Sequence, residues 1–145
     1  MPKFLDSLPM ILSRSLDRVM PSYRRLFQTN DLTDQQWRVL RALWEKQHLT
    51  SAQISQITLL PPPSLVGILD RLEKKNLIGR LRSTEDRRHI HIIPTQKGRA
   101  LMEHMMPMVE RIHDDFMQRV TAAEWDEFNR ILNKLSEPTK KRNLA

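Results

Sequence analysis

A chain of 145 residues with 24 Lys and Arg against 17 Asp and Glu has a formal charge of +7 and a pI near 10.2, so a polyanion is the partner class its electrostatics favour: nucleic acid or an anionic membrane surface. The absence of cysteine excludes disulfides, thiolate zinc sites and cysteine-based redox sensing. No apolar run approaches the length of a membrane span and no basic-then-apolar leader opens the chain, which therefore reads as cytoplasmic and not membrane-bound.

Leu5, Leu8, Leu12, Leu16, Val19, Tyr23 and Leu26 step by threes and fours, which predicts a long amphipathic first helix. Pro9 falls near a break, and Pro21, inside the pattern, is expected to kink it. Arg14 and Arg18 stand one helical turn apart beside the apolar seam. Next, Thr33 and Gln36 form a capping box with Leu32 and Trp37 at the staple positions, opening a second helix that runs to about Lys46. Trp37, Leu40 and Trp44 share one of its faces and Val39 and Leu43 a neighbouring one, so at least one tryptophan is expected in the core.

Thr50 and Gln53 form another capping box, with Leu49 and Ile54 as its staple. That short helix ends near Thr58, and Leu59-Leu60-Pro61 turns the chain. Prolines 61 to 63 cannot continue a helix but fit the first turn of a new one. Over Pro62–Asn76, Leu65, Ile68, Leu69 and Leu72 line one face. The opposite face carries Pro63, Gly67, Asp70 and Lys74, flanked by Ser64 and Arg71. Two helices joined by a tight turn predict a helix-turn-helix. The second has small residues at its tip and cations further on, as a groove-reading helix needs. Pro63 is expected at the DNA-binding tip, Ser64 and Gly67 against base edges, Val66 near a thymine methyl, and Arg71 and Lys74 at phosphates of double-stranded DNA. Leu77–Arg82 and His89–Pro94 then read as two strands around a charged tip at 83–88, a β-hairpin placed as a wing. The tip's Arg87 and Arg88 are expected at the minor groove or its phosphates.

Over Gln96–Arg119, Leu101, Met105, Met108, Ile112 and Phe116 repeat at helical spacing, with Pro107 expected to bend the helix. His104 and His113 lie on the same stretch. A third capping box, Thr121 with Glu124, opens a last helix carrying Trp125, Phe128, Ile131, Leu132 and Leu135 and ending before Pro138. The tail Lys140-Lys141-Arg142 reads as a solvated end. The first and last helices are too apolar to stay bare, and an isologous two-fold homodimer is the simplest way to cover them. The fold class is thus mainly α with a small β-wing. Residues 1–31 and 96–145 are expected to form dimerisation helices, and 32–95 a winged helix-turn-helix DNA-binding lobe.

Other chemistries lack support. His89-x-His91 is at most half a metal site, short of three or four ligands. Three scattered glycines make no phosphate loop, and nothing resembles a nucleophile elbow, so neither an enzyme nor a cofactor is expected. The competing reading is a basic helical protein–protein interaction module without specific DNA binding. Paired arginines on a hairpin that follows an amphipathic helix weigh against it.

The order helix, helix, basic hairpin, then a Thr-x-x-Gly helix start resembles the MarR family of winged helix-turn-helix transcriptional regulators. The family's Asp-x-Arg wing tip stands here as Asp86-Arg87-Arg88, and its Leu-Thr-x-x-Gly as Pro94-Thr95-Gln96-Lys97-Gly98. Pro94 replaces the usual Leu, and Val66-Gly67 replaces a frequent Thr-Arg pair. Within the family, LTDQQWRVLRAL and PSLVGILDRLEKKNLIGRL most resemble repressors of homoprotocatechuate (aromatic acid) catabolic operons. The resemblance implies a homodimer on a pseudo-palindromic operator with half-sites about 10 bp apart, Asp86 bracing Arg88, and release by a small aromatic carboxylate. A hydroxyphenylacetate-type acid is favoured over an indole or cinnamate acid. The ligand is expected at the junction of the first, second and fifth helices. Groups available there are Arg14 or Arg18 for the carboxylate, Trp37 or Trp44 for the ring, and His104 or His113 with Met105 and Met108 for the far wall. Arg14 is the favoured anchor.

Overall fold

The computed structural model describes residues 3–138, so the expectation for Lys140-Lys141-Arg142 lies outside the described residues. A 3₁₀ turn at Phe4–Asp6 precedes α1 (Leu8–Thr29), with Pro9 in its first turn, where no intrahelical N–H bond is lost. α1 continues through Pro21. Then come α2 (Asp34–Lys46), β1 (Leu49–Thr50), α3 (Ser51–Thr58), α4 (Pro62–Lys74), β2 (Ile78–Arg82), β3 (Ile90–Pro94), α5 (Gln96–Met117) and α6 (Ala122–Ser136). The fold is mainly α with a small three-stranded antiparallel sheet.

All three expected capping boxes are formed. Thr33, Thr50 and Thr121 each accept from the backbone N–H three residues on, while Gln36, Gln53 and Glu124 reach back to the cap N–H. Each box satisfies two helix-end donors that would otherwise need water. Gln36 has a second task. Its amide oxygen also accepts from Lys75 Nζ at 3.2 Å, and Lys75 pairs with Asp31 at 3.2 Å. The start of α2 is thereby tied to the end of α4.

The sheet holds a strand that the hydrophobic pattern does not reveal. Its order is β1-β3-β2, with Leu49 opposite Ile92 and Thr50 opposite His91. The helix-turn-helix is therefore stitched to the wing at its first residue. Ile78 stands opposite Pro94, which has no N–H, and the next donor, Thr95, bonds Leu77 O at 3.1 Å. The substitution of Pro for Leu is absorbed at the end of the ladder, where a missing donor costs least.

Val39, Leu40, Leu43, Ile54, Leu65, Leu72, Ile78, Ile92, Met102 and Met105 are almost fully buried in one cluster. The expectation of a core tryptophan is met by Trp37, which stacks on Phe27 at 4.9 Å between centroids. The chain divides into two compact units, residues 1–109 and 110–145. In the first, α1 buries only Phe27 and leaves Leu8, Ile11, Leu12 and Leu16 exposed, with Leu5 of the preceding turn exposed beside them in sequence. In the second, α6 buries nothing, and Trp125, Phe128, Ile131 and Leu135 are exposed.

Candidate nucleic-acid interface

The turn between α3 and α4 is built from short hydrogen bonds. Ser55 Oγ donates to Leu60 O at 2.6 Å, Thr58 Oγ1 donates to Ile54 O at 2.6 Å, and Leu60 N donates to Thr58 Oγ1 at 3.4 Å. Leu59 crosses the left-handed region at φ 60, a conformation that disfavours a side chain, and is exposed. Pro61 N-caps α4 without a side-chain bond; Pro62 and Pro63 carry no N–H, and the next two amides, those of Ser64 and Leu65, both donate to Pro61 O at 3.0 Å. Pro63, Ser64 and Val66 are exposed at the helix tip, and Gly67 is half-buried. A Cβ on Gly67 would meet nothing nearer than Arg71 Nη2 at 3.9 Å, so neighbouring groups do not require the missing side chain. Arg71 and Lys74 follow, both exposed, while Leu65, Ile68, Leu69 and Leu72 turn inward. This is the division of faces that the sequence predicts.

The wing tip is organised by one carboxylate. Asp86 accepts from the Arg88 backbone N–H at 3.0 Å and from its guanidinium at 3.1 Å (Nε) and 3.3 Å (Nη2). The expected bracing of Arg88 by Asp86 is present. The Arg88 guanidinium, then the Arg88 backbone N–H, hold the Asp86 carboxyl below its ordinary value. Arg88 is held while its side chain stays 89% exposed, so it is aimed without being buried. Ser83 Oγ accepts from the N–H groups of Glu85 and Asp86, closing the tip. Arg87 projects into solvent.

A further cation, absent from the sequence-based set, joins the two reading elements. Arg80, in mid-β2, donates to Asp70 at 2.8 Å and pairs with Glu73 at 3.1 Å. The only signal in the sequence is the Asp70-x-x-Glu73 spacing, which puts both acids on one helix face.

The residues expected at a ligand site do not share one cleft in the single chain. Trp44 lines a cleft between α2 and α5 with Leu40, Gln47, Arg99 and Glu103. Trp37 lines another, between α2 and α3, with Arg38, Arg41, Ala42, Glu45, Ile57 and Thr58. His104 borders a third hollow with Asn30, Lys75 and Lys97. Met105 is in the core and Met108 half-buried. Arg18 and His113 are exposed. Arg14 donates to Leu5 O at 2.7 Å, so it holds the N-terminal turn against α1. Arg38 and Arg41 are the cations that the sequence reading passed over. Their spacing looks like ordinary helix-surface charge, and only the packing of α3 beside α2 makes them border one cleft with Trp37.

A capped helix, a second helix with small residues at its exposed tip, and a basic hairpin tied to both define a winged helix-turn-helix protein. Residues 32–90 match the MarR family. The chain is 33% identical over 103 residues to the HTH-type transcriptional regulator FarR of Neisseria gonorrhoeae, covering 71% of this chain and 70% of that one. It is 29% identical over 129 residues to the homoprotocatechuate degradative operon repressor of Escherichia coli, covering 89% and 87%. The solved structure of NadR in complex with 4-hydroxyphenylacetate matches at a TM-score of 0.78 and 28% identity, over 94% of this chain and 99% of that chain. The chain belongs to the MarR family and is a transcriptional regulator.

Proposed function

We propose that the protein is a homodimeric repressor of an aromatic-compound catabolic operon, bound to a pseudo-palindromic operator and released by a small aromatic carboxylate. The observation that carries the DNA reading is the exposed Arg88, fixed by Asp86 on the wing that follows α4, whose own tip presents Pro63, Ser64, Val66 and Gly67. Arg71 and Lys74 supply phosphate contacts, and Arg87 joins Arg88 at the minor-groove side. The exposed apolar faces of α1 and α6 support the two-fold dimer, which presents two α4 helices to two half-sites.

The effector class rests on the relatives. One represses a homoprotocatechuate operon by name, and another was solved with 4-hydroxyphenylacetate. The cleft beside Trp37 suits such an acid. Its volume of about 230 Å³ falls below the roughly 300 Å³ at which drug-sized pockets begin, and it combines an indole with two guanidinium groups. Ligand binding releases DNA only to the extent that it favours a dimer whose α4 helices no longer match the half-site spacing. Footprinting on the DNA flanking the protein's own gene tests the proposal. A protected two-fold site that fades as 4-hydroxyphenylacetate is added is the expected result. No protection at low salt would overturn it.

A further inference from the structure

We propose that Arg80 is a positioning residue for DNA binding: by covering both acids of the reading helix it lets α4 approach the phosphates. This rests on the DNA-binding reading above. α4 holds two carboxylates, Asp70 and Glu73, one turn apart. Both lie on the exposed side of the helix, next to Lys74, and both are taken up by the one guanidinium of Arg80. A helix that approaches a polyanion cannot present bare carboxylates without repulsion, because like charges juxtaposed across an interface oppose association.

The geometry suits Arg and not Lys. Nη2 reaches Asp70 at 2.8 Å while Nε reaches Glu73 at 3.1 Å, so a planar fork spans two partners at once. Arg80 stands opposite Ile92, whose buried side chain fixes β3 in the core, and the same hairpin carries Arg87 and Arg88 at its far end. The fork therefore links the element that reads one groove to the element that reads the other. All three side chains are about half exposed, so the pairs add little to folding stability. Their effect is to be sought in DNA binding.

The test uses the full-length protein and a labelled duplex taken from the DNA flanking its own gene. Affinity is measured for wild type, Arg80→Ala, Arg80→Lys and the triple variant Arg80→Ala/Asp70→Asn/Glu73→Gln, with thermal unfolding of each. Arg80→Ala should lose about tenfold or more in affinity, as expected when like charges face one another, with almost no change in unfolding temperature. Arg80→Lys should fall between. The triple variant should regain most of the loss, because the acids it exposes are gone. A triple variant as weak as Arg80→Ala would make Arg80 a direct phosphate contact and overturn the positioning role. Equal affinities for wild type and Arg80→Ala would overturn it as well, with the DNA-binding reading intact. A wild type that fails to bind the duplex at any salt would overturn both.

Discussion

The carbonyl of Leu77 fills the space where residue 98 would carry a side chain: a Cβ on Gly98 would stand 2.1 Å from Leu77 O and 3.0 Å from its carbon. The same carbonyl accepts from Thr95 N at 3.1 Å. Thr95 Oγ1 donates to Asn76 O at 2.6 Å and accepts from Gly98 N at 3.0 Å. The Thr95-x-x-Gly98 pattern is thus a docking device that seats the first turn of α5 on the link between α4 and β2. Gly98→Ala should destabilise the fold by about 1–3 kcal/mol, the range for overpacking a site that cannot relax. Urea unfolding should show a lower midpoint at unchanged slope. A midpoint at or above that of the wild type would refute the close approach.

Gly67→Ala should act in the opposite direction. Its Cβ would make only an ordinary contact with Arg71 Nη2 at 3.9 Å, so the helix gains about 1 kcal/mol of propensity. If the glycine lies against a base edge, the added methyl weakens operator binding even though the protein is more stable. Unfolding and duplex titration on the same sample read both signs. Greater stability with undiminished affinity would remove Gly67 from the interface.

Much of this was legible because it is local. The three capping boxes depend on residues three apart, and the inward face of α4 depends on its own period. The Asp86–Arg88 brace spans two residues. What the sequence hides is long-range. β1 is two residues long and exists only because β3 lies beside it, so Leu49 and Thr50 read as a helix start and nothing more. Arg80 finds its acids 7 and 10 residues away across a helix–strand corner. The sequence marks Trp37 as a core candidate but does not name Phe27, from another helix, as the ring it stacks on.

The wing tip makes a pH prediction. Asp86 is held below its ordinary value in the folded protein, so the brace is complete above that value and is lost only as pH falls through the lowered one. An NMR titration of the Asp86 carboxyl should give a midpoint below 3.8, moving back toward it in Arg88→Ala, since Arg88 is the main cause. Arg88→Ala should also cost about tenfold or more in duplex affinity, as losing a groove contact does. Lys134→Ala, on α6, should cost far less. Equal small losses would end the assignment of Arg88 to a groove.

The bare face of α1 predicts an obligatory partner copy. Leu12 and Leu16 are 44% and 53% exposed in the single chain, and burying what remains of each is worth about 1 kcal/mol. Leu12→Asp/Leu16→Asp should therefore yield a folded monomer that no longer binds the duplex. Sedimentation at micromolar concentration should show a wild-type dimer beside it. A wild type that sediments as a monomer would rule out the dimer.

The effector anchor is the last question, and the geometry favours Arg41 over Arg14. An aromatic acid needs a ring face and a guanidinium within one molecule's length of each other. Trp37 and Arg41 lie one helical turn apart on α2 and line the same cleft, whereas Arg14 donates to the Leu5 carbonyl and lines neither the Trp37 cleft nor the Trp44 cleft. Arg41 does pair with Glu45 at 2.9 Å, but both side chains are more than a third exposed, and such pairs exchange readily. The guanidinium keeps donors for a ligand carboxylate, and Arg38 adds a second cation that offsets Glu45. Calorimetric titration of 4-hydroxyphenylacetate into wild type, Arg41→Ala and Arg14→Ala separates the two. Arg41→Ala should weaken binding by about tenfold or more, the range for a hydrogen bond to a charged group, and should stay on the operator when ligand is added. Arg14→Ala should bind and release almost as the wild type does. If Arg14→Ala loses the ligand and Arg41→Ala keeps it, the anchor lies on α1, and the Trp37 cleft is not the effector site.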